Sequence, residues 1–186
     1  MKKEFKKQME KKKKIGPNWS WIFKIIVISF VISLIFSSLS EGIIANVNLV
    51  VSIIILLIFI ALGIVFDMIG VAVTSSDEAP FHSMSSRKVK GAKTAVKFKK
   101  NADKVSSFCN DVIGDICGVI SGTVGATIAL GISSHFNLPL FVCSLIVTAI
   151  IASITIGGKA TFKSIAINQS NEILYNFAKL VETFKK

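Results

Sequence analysis

Hydrophobic positions in this chain fall in long runs rather than in the alternation of a half-buried strand or the narrow stripe of a surface helix. From Trp21 to Phe36 the chain is apolar apart from Lys24, Ser29 and Ser33. A second run begins near Val47 and ends near Val73, with LVVSIIILLIFIALGIVF its most apolar part. A third, weaker and glycine-rich, covers about Ser107 to Ile132, and a fourth covers Leu140 to about Ile156. A bilayer core takes roughly 20 apolar residues as a helix, so each run predicts one span. The second is long enough to tilt or break, and Gly63 and Gly70 are where it could do so.

The polar segments between the runs carry their own pattern. Met84 to Phe98 reads as an amphipathic surface helix, with Val89, Ala92 and Val96 on one side and lysines on the other. Ser134 to Pro139 reads as a tight turn, with Pro139 in the first turn of the following helix. Ser170 to Phe184 predicts an amphipathic terminal helix whose apolar face holds Ile173, Leu174, Phe177, Leu180, Val181 and Phe184.

Composition agrees with this reading. Hydrophobic residues make up 52% of the 186, charged residues only 18%, and the mean hydropathy is +0.66. A soluble domain carries about 25% charged residues. The net charge of +11 would suit nucleic-acid binding if it were spread over a surface. It is not. Eight lysines lie in the first 14 residues, eight basic residues between Thr74 and Ser106, and five beyond the fourth run. The connections 37–46 and 133–139 have none. By the positive-inside rule both termini and the central loop are cytoplasmic, and the lysine runs are topology signals that touch anionic lipid. Nucleic acid is not an expected partner. The expected fold is therefore an all-α integral membrane protein of the cell membrane. It has four transmembrane helices, N-in and C-in, with a basic amphipathic juxtamembrane helix between spans two and three. The first run reads as an anchor; a cleaved signal peptide competes, but the run is long for one and Ser37–Ser40 is a weak cleavage site.

Chemistry-bearing residues are few. Cys109, Cys117 and Cys143 all fall in spans three and four without metal-ligand spacing, which reads as apolar packing. His82 and His135 lie in loops on opposite sides of the expected membrane. The acids are more informative. Asp67 sits about two turns inside span two, and Asp111 and Asp115 are four apart on span three, on one helix face at similar expected depth. A carboxylate near the bilayer centre costs at least about 2.5–3.5 kcal/mol, so such acids face a cavity, a partner or an ion. Three together suggest a cation site, since hard divalent cations take oxygen ligands. Hydration near the interface is the plainer alternative for Asp111. Gly114, Gly118 and Gly122 form a small-residue ridge on span three, which allows close helix packing. No nucleophile–base pairing, metal triad or phosphate loop is present, so no enzymatic activity is expected.

At these residues the chain resembles the transmembrane domain of the CNNM/CorB/CorC magnesium transport family. That family carries Phe-Ser-Gly-x-Glu-x-Ala on one helix, a basic juxtamembrane stretch, a helix with Gly-Asn, and a helix ending Gly-Glu-x-x-Pro-Lys-x-x-Ala. Here Phe66-Asp67-Met68-Ile69-Gly70-Val71-Ala72 comes first, then Gly91-Ala92-Lys93 in the basic loop and Cys109-Asn110-Asp111. Gly158-Lys159 through Phe162-Lys163 to Ala166 closes the series. Asp67 stands for the serine, Gly70 for the first glutamate, Lys159 for the second and Phe162 for the proline. The resemblance divides the chain into a basic cytoplasmic tail (1–20), an extra span with its outer loop (21–46), a CorB-like three-span domain (47–166, with the cytoplasmic loop 74–106) and a cytoplasmic amphipathic helix (167–186).

The resemblance implies a divalent cation, Mg²⁺ or Co²⁺, at the positions of Asp67, Asn110 and Gly158, with Asp111 and Asp115, read from the acids themselves, supplying charge lost elsewhere. It also implies a homodimer packed around the glycine ridge. The cytoplasmic CBS domains of the family are absent, which points to a separate CBS-domain protein as partner. Two functions follow from the residues: a reduced cation transporter, or a non-transporting membrane accessory or scaffold whose site is filled by the Lys159 ammonium.

Overall fold

The structure is a computed structural model that describes residues 19–44 and 48–184. The basic tail of residues 1–18 lies outside the described residues. The described chain is helical, without strands. In order it forms α1 (Trp19–Ile44), α2 (Leu49–Ser75), α3 (Ala79–Ser86), α4 (Ala92–Lys100) and α5 (Ala102–Ser107). A π-helical segment (Phe108–Gly114) then leads directly into α6 (Asp115–Phe136), and α7 (Leu140–Asn168) and α8 (Ser170–Phe184) follow. Four stretches are long and apolar enough to cross a membrane: Trp19–Ser38, Leu49–Ser75, Ala102–Phe136 and Leu140–Asn168.

Local chemistry explains the boundaries. The Asn48 side chain accepts a hydrogen bond from the Val51 amide at 3.0 Å, capping the start of α2. At the other end of α2 the Lys99 ammonium donates to the carbonyls of Val73 (3.2 Å), which also accepts from the Ser76 hydroxyl (3.1 Å), and of Thr74 (2.9 Å), in the last turn where helix carbonyls lack amide partners. Pro80 opens α3, where its missing amide costs nothing. Asn137 ends α6 in a left-handed conformation, and Leu138 closes the turn back to the Ser133 carbonyl at 3.1 Å.

Two cores result. The first joins α2 to the π segment and α6. Leu56, Ile60 and Ile64 face Val112, Ile116, Ile120, Val124 and Ile128, both sets at four-residue spacing, with Ile25 and Ile32 of α1 and Val147 and Ile151 of α7 packed against them. Ridges four residues apart interdigitate efficiently. In hydrocarbon such packing acts through dispersion, because lipid tails are as apolar as the side chains. The second core is a cap over one end of the bundle. Phe81, Ala95, Leu174 and Ala178 are essentially inaccessible and close over Ile69, Val73 and Cys109. Phe98 and Phe177 pack with ring centroids 5.5 Å apart. The Thr94 hydroxyl donates to Glu182 at 2.8 Å. Lys104 lies 5.1 Å from the centre of the Trp21 ring, so α1 begins at this same end.

Several expectations change. α2 runs unbroken through Gly63 and Gly70. Its glycines admit close neighbours instead of bending it: a β-carbon at Gly63 would lie 3.2 Å from Cys117, and one at Gly70 would overlap the Asn110 side chain. The single surface helix expected over 84–98 is two helices, divided where Lys88 and Gly91 take positive φ (57° and 88°). Gly91 is needed there, since a β-carbon would come within 2.9 Å of the Lys179 backbone in α8. The third stretch starts earlier, at Ala102, and α7 continues to Asn168 rather than stopping near Ile156. Pro139 caps α7 rather than lying in its first turn. On α8 the buried line is Ser170, Leu174 and Ala178, while Leu180 and Phe184 are exposed.

Candidate functional site: a lysine beside a carboxylate between helices

Asp67 lies eight residues before the end of α2, and Lys159 nine before the end of α7. At 1.5 Å of rise per residue both sit roughly 12–14 Å in from those ends. The Lys159 ammonium is 3.6 Å from Asp67 Oδ1, and the two side chains are only 32% and 21% exposed. That separation is a charge–charge contact rather than a hydrogen bond. The ammonium also lies 3.9 Å from where a β-carbon of Gly114 would be, so the glycine leaves room for it.

Lys159 forms part of the wall of a pocket of about 510 Å³ between α2, α6 and α7. Asp115, Ser121 and Thr155 supply the other polar groups, and Phe59 and Ile60 the apolar side. The Ser121 and Thr155 hydroxyls donate to the carbonyls of Cys117 and Ile151 on their own helices, both at 2.8 Å, which satisfies them without a ligand.

The sequence-expected residues divide as follows. Asp115 is exposed on the pocket wall; Asp111 is exposed and outside its lining. The expected convergence of Asp67, Asp111 and Asp115 is not formed: among the described residues no three His, Cys, Asp or Glu side chains gather in a group that could hold a metal ion. Asp67 is turned to Lys159, Asp115 lies on the pocket that Lys159 also walls, and Asp111 is exposed outside it. Asn110 sits in the π segment, a helical irregularity frequently found at functional sites. Its amide is 3.5 Å from the Ser106 hydroxyl, and its Oδ1 is buried without a hydrogen-bond partner. Gly158 packs under Ile64, whose terminal methyl fills the place of its β-carbon.

The glycine ridge is also divided. Gly114 is buried, but nothing lies within 4 Å of a β-carbon built at Gly118 or Gly122, so that part of the ridge is open within one chain. The interhelical close approach belongs instead to Gly125, where a β-carbon would overlap Ile151 of α7. Cys109, Cys117 and Cys143 are free and buried. His82 is 2.8 Å from Glu78, and that hydrogen bond holds the Glu78 carboxyl below its ordinary pKa. His135 stacks edge-on against Phe136.

Sequence reasoning missed the Lys99 cap on α2 and the Asn110–Gly70 contact. A lysine-rich helix offers no sign of which lysine will turn inward. Gly70 was legible only as a point of weakness, not as a seat for a side chain 40 residues away.

These features define the architecture of a multi-pass membrane protein. Comparison with known proteins returns no match: no family model, no curated protein and no solved structure.

Proposed function

We propose that this chain is a non-transporting accessory or scaffold protein of the cell membrane, with both termini and the basic cap in the cytoplasm. In this reading its intramembrane acidic site is held by its own Lys159. The observation that carries it is the 3.6 Å contact between Lys159 and Asp67. A hard divalent cation needs six or more oxygen ligands and a net negative site. Asp67 next to a tethered ammonium is a neutral pair, and a free ion would have to displace a cation that has no translational entropy to lose. The pair satisfies two charges in a poorly hydrated place without leaving a vacancy.

A second reading has an observation of its own. The partnerless Asn110 Oδ1 and the exposed Asp115 on the pocket wall are oxygen donors of the kind Mg²⁺ takes. If Lys159 swung out, the chain would be a reduced Mg²⁺ or Co²⁺ transporter, and the homodimer and separate CBS-domain partner would belong with that reading.

Thermal melts of detergent-solubilised protein across a Mg²⁺ titration separate the two. On the first reading wild-type protein does not respond, and Lys159→Ala is less stable until Mg²⁺ is added. On the second, wild-type protein is itself stabilised, by about 2.7 kcal/mol at a hundredfold excess over Kd. Asp67→Ala and Asp115→Ala then abolish the effect.

A further inference from the structure

The cap presents a cluster of cations that the fold does not use. Arg87, Lys88, Lys90, Lys93, Lys97 and Lys100 are all exposed, along the turn between α3 and α4 and the outer side of α4. Among the described residues none of the six is in an ion pair. Of the carboxylates at α3–α4 and on their packing partner α8, Glu78 is hydrogen-bonded to His82 and feels the charges of Lys99 and Lys100. Glu182 accepts from the Thr94 hydroxyl, and Glu172 is exposed and outside any ion pair among the described residues. Six cations outnumber the carboxylates beside them and repel one another, so the arrangement is at its most stable when something anionic covers it.

The position of the cluster says what that is. Lys99, on the same helix, is bonded to the last carbonyls of α2, one of the apolar stretches long enough to span. Trp21, near the start of another, lies against Lys104. The cations therefore stand at the ends of candidate spans, at the depth where headgroups lie. The mode of contact is also readable. Ala92 and Ala95, the small apolar positions of α4, are fully buried in the cap, as are Phe81, Leu174 and Ala178. Val89 is the exposed apolar side chain of the α3–α4 turn. The apolar face of α4 is thus spent on α2 and α8 and is not free to enter lipid, so contact would be by charge and not by insertion.

We propose that the α3–α4 turn and the outer face of α4 form an electrostatic docking surface for the anionic phospholipid headgroups of the leaflet in which this end of the bundle sits. The surface is independent of Lys159 and of any cation site.

The test uses the purified full chain in a non-ionic detergent, titrated with short-chain phosphatidylglycerol, short-chain phosphatidylcholine, free glycerophosphate and a mixed-sequence oligonucleotide. Each basic residue near an anionic surface contributes roughly fivefold to affinity. Phosphatidylglycerol should therefore bind at least about tenfold tighter than phosphatidylcholine, and lose most of that preference between about 0.05 M and 0.5 M salt. Lys88→Gln/Lys90→Gln/Lys93→Gln should weaken phosphatidylglycerol binding roughly a hundredfold without changing the Lys159 response to Mg²⁺, and the three corresponding arginine substitutions should restore it. If the triple variant does not fold, Lys97→Gln/Lys100→Gln should weaken binding by roughly twentyfold. Equal binding of the two lipids, salt-insensitive binding or full affinity in the glutamine variants would overturn the proposal. So would tighter binding of glycerophosphate or of the oligonucleotide, which would assign the surface to free phosphate esters or to nucleic acid.

Discussion

The side-chain carbonyl of Asn110 lies over Gly70, in the space a β-carbon at position 70 would occupy. The π segment presents this asparagine to α2, and the glycine is what lets it in. Gly70→Ala should therefore cost about 1–3 kcal/mol by overpacking. Asn110→Ala should cost little, because the buried Oδ1 it removes has no partner. The double variant should recover most of the Gly70→Ala loss. Equilibrium unfolding in detergent checks this. A large loss for Asn110→Ala alone would mean that the oxygen is bound by something in the working protein and would favour the transporter reading.

Lys99 holds the end of α2 by two hydrogen bonds from a charged donor. Bonds of this kind contribute about 1.5–3 kcal/mol each in buried settings, and less where water competes. Lys99→Met is expected to lower the melting temperature, whereas Lys97→Met, exposed on the same helix, should stay within about 0.5 kcal/mol of wild type. Equal effects of the two would show that the cap on α2 does not depend on Lys99.

Two glycines on α6 that look alike in sequence should behave differently. Gly125→Leu forces its side chain into Ile151 and should destabilise the single chain. Nothing lies within 4 Å of a β-carbon at Gly118, which borders the pocket walled by Lys159, so Gly118→Leu has room and should leave the stability of the single chain nearly unchanged. Size-exclusion chromatography with light scattering then reports on self-association: a loss of dimer in Gly118→Leu would place a second copy on the open part of the ridge, and unchanged size would show that no second copy packs there.

The orientation read from the lysine distribution is checked by cysteine accessibility. Cys109, Cys117 and Cys143 are buried, which keeps the background low. Cysteines introduced at Glu41 and Asn137 should react with an impermeant reagent from outside, and one at Lys93 only from inside. Labelling at Lys93 from the outer face would reverse the whole arrangement.

The four long apolar stretches and the terminal amphipathic helix were legible from the sequence because their signals are local: hydropathy over about 20 residues, and apolar spacing along α8. Boundaries were less so. Nothing local stops α7 at Ile156, since Thr161 and Lys163 are as acceptable in a helix end that leaves the membrane as in a loop. The division of the basic loop into α3 and α4 goes with Gly91 meeting Lys179, a contact across nearly half the chain. The candidate site was half legible. Asp67 and Lys159 could be named from their types and depth. Which acid the lysine would choose depends on the relative rotation of three helices, and spacing along one helix does not encode that. Asp111 and Asp115 are four apart, yet only Asp115 lines the pocket that Lys159 walls, and neither gathers with Asp67.

On the scaffold reading Lys159 and Asp67 neutralise each other, and a double-mutant cycle measures that directly. Asp67→Asn and Lys159→Met each leave one charge uncompensated, while the double variant leaves none. Unfolding free energies in detergent should show each single variant destabilised and the double variant more stable than the sum of the two losses predicts, with a coupling of about 1–3 kcal/mol. Losses that add to within about 0.5 kcal/mol would mean that the two groups do not interact, and Lys159 would not be the cation of this site.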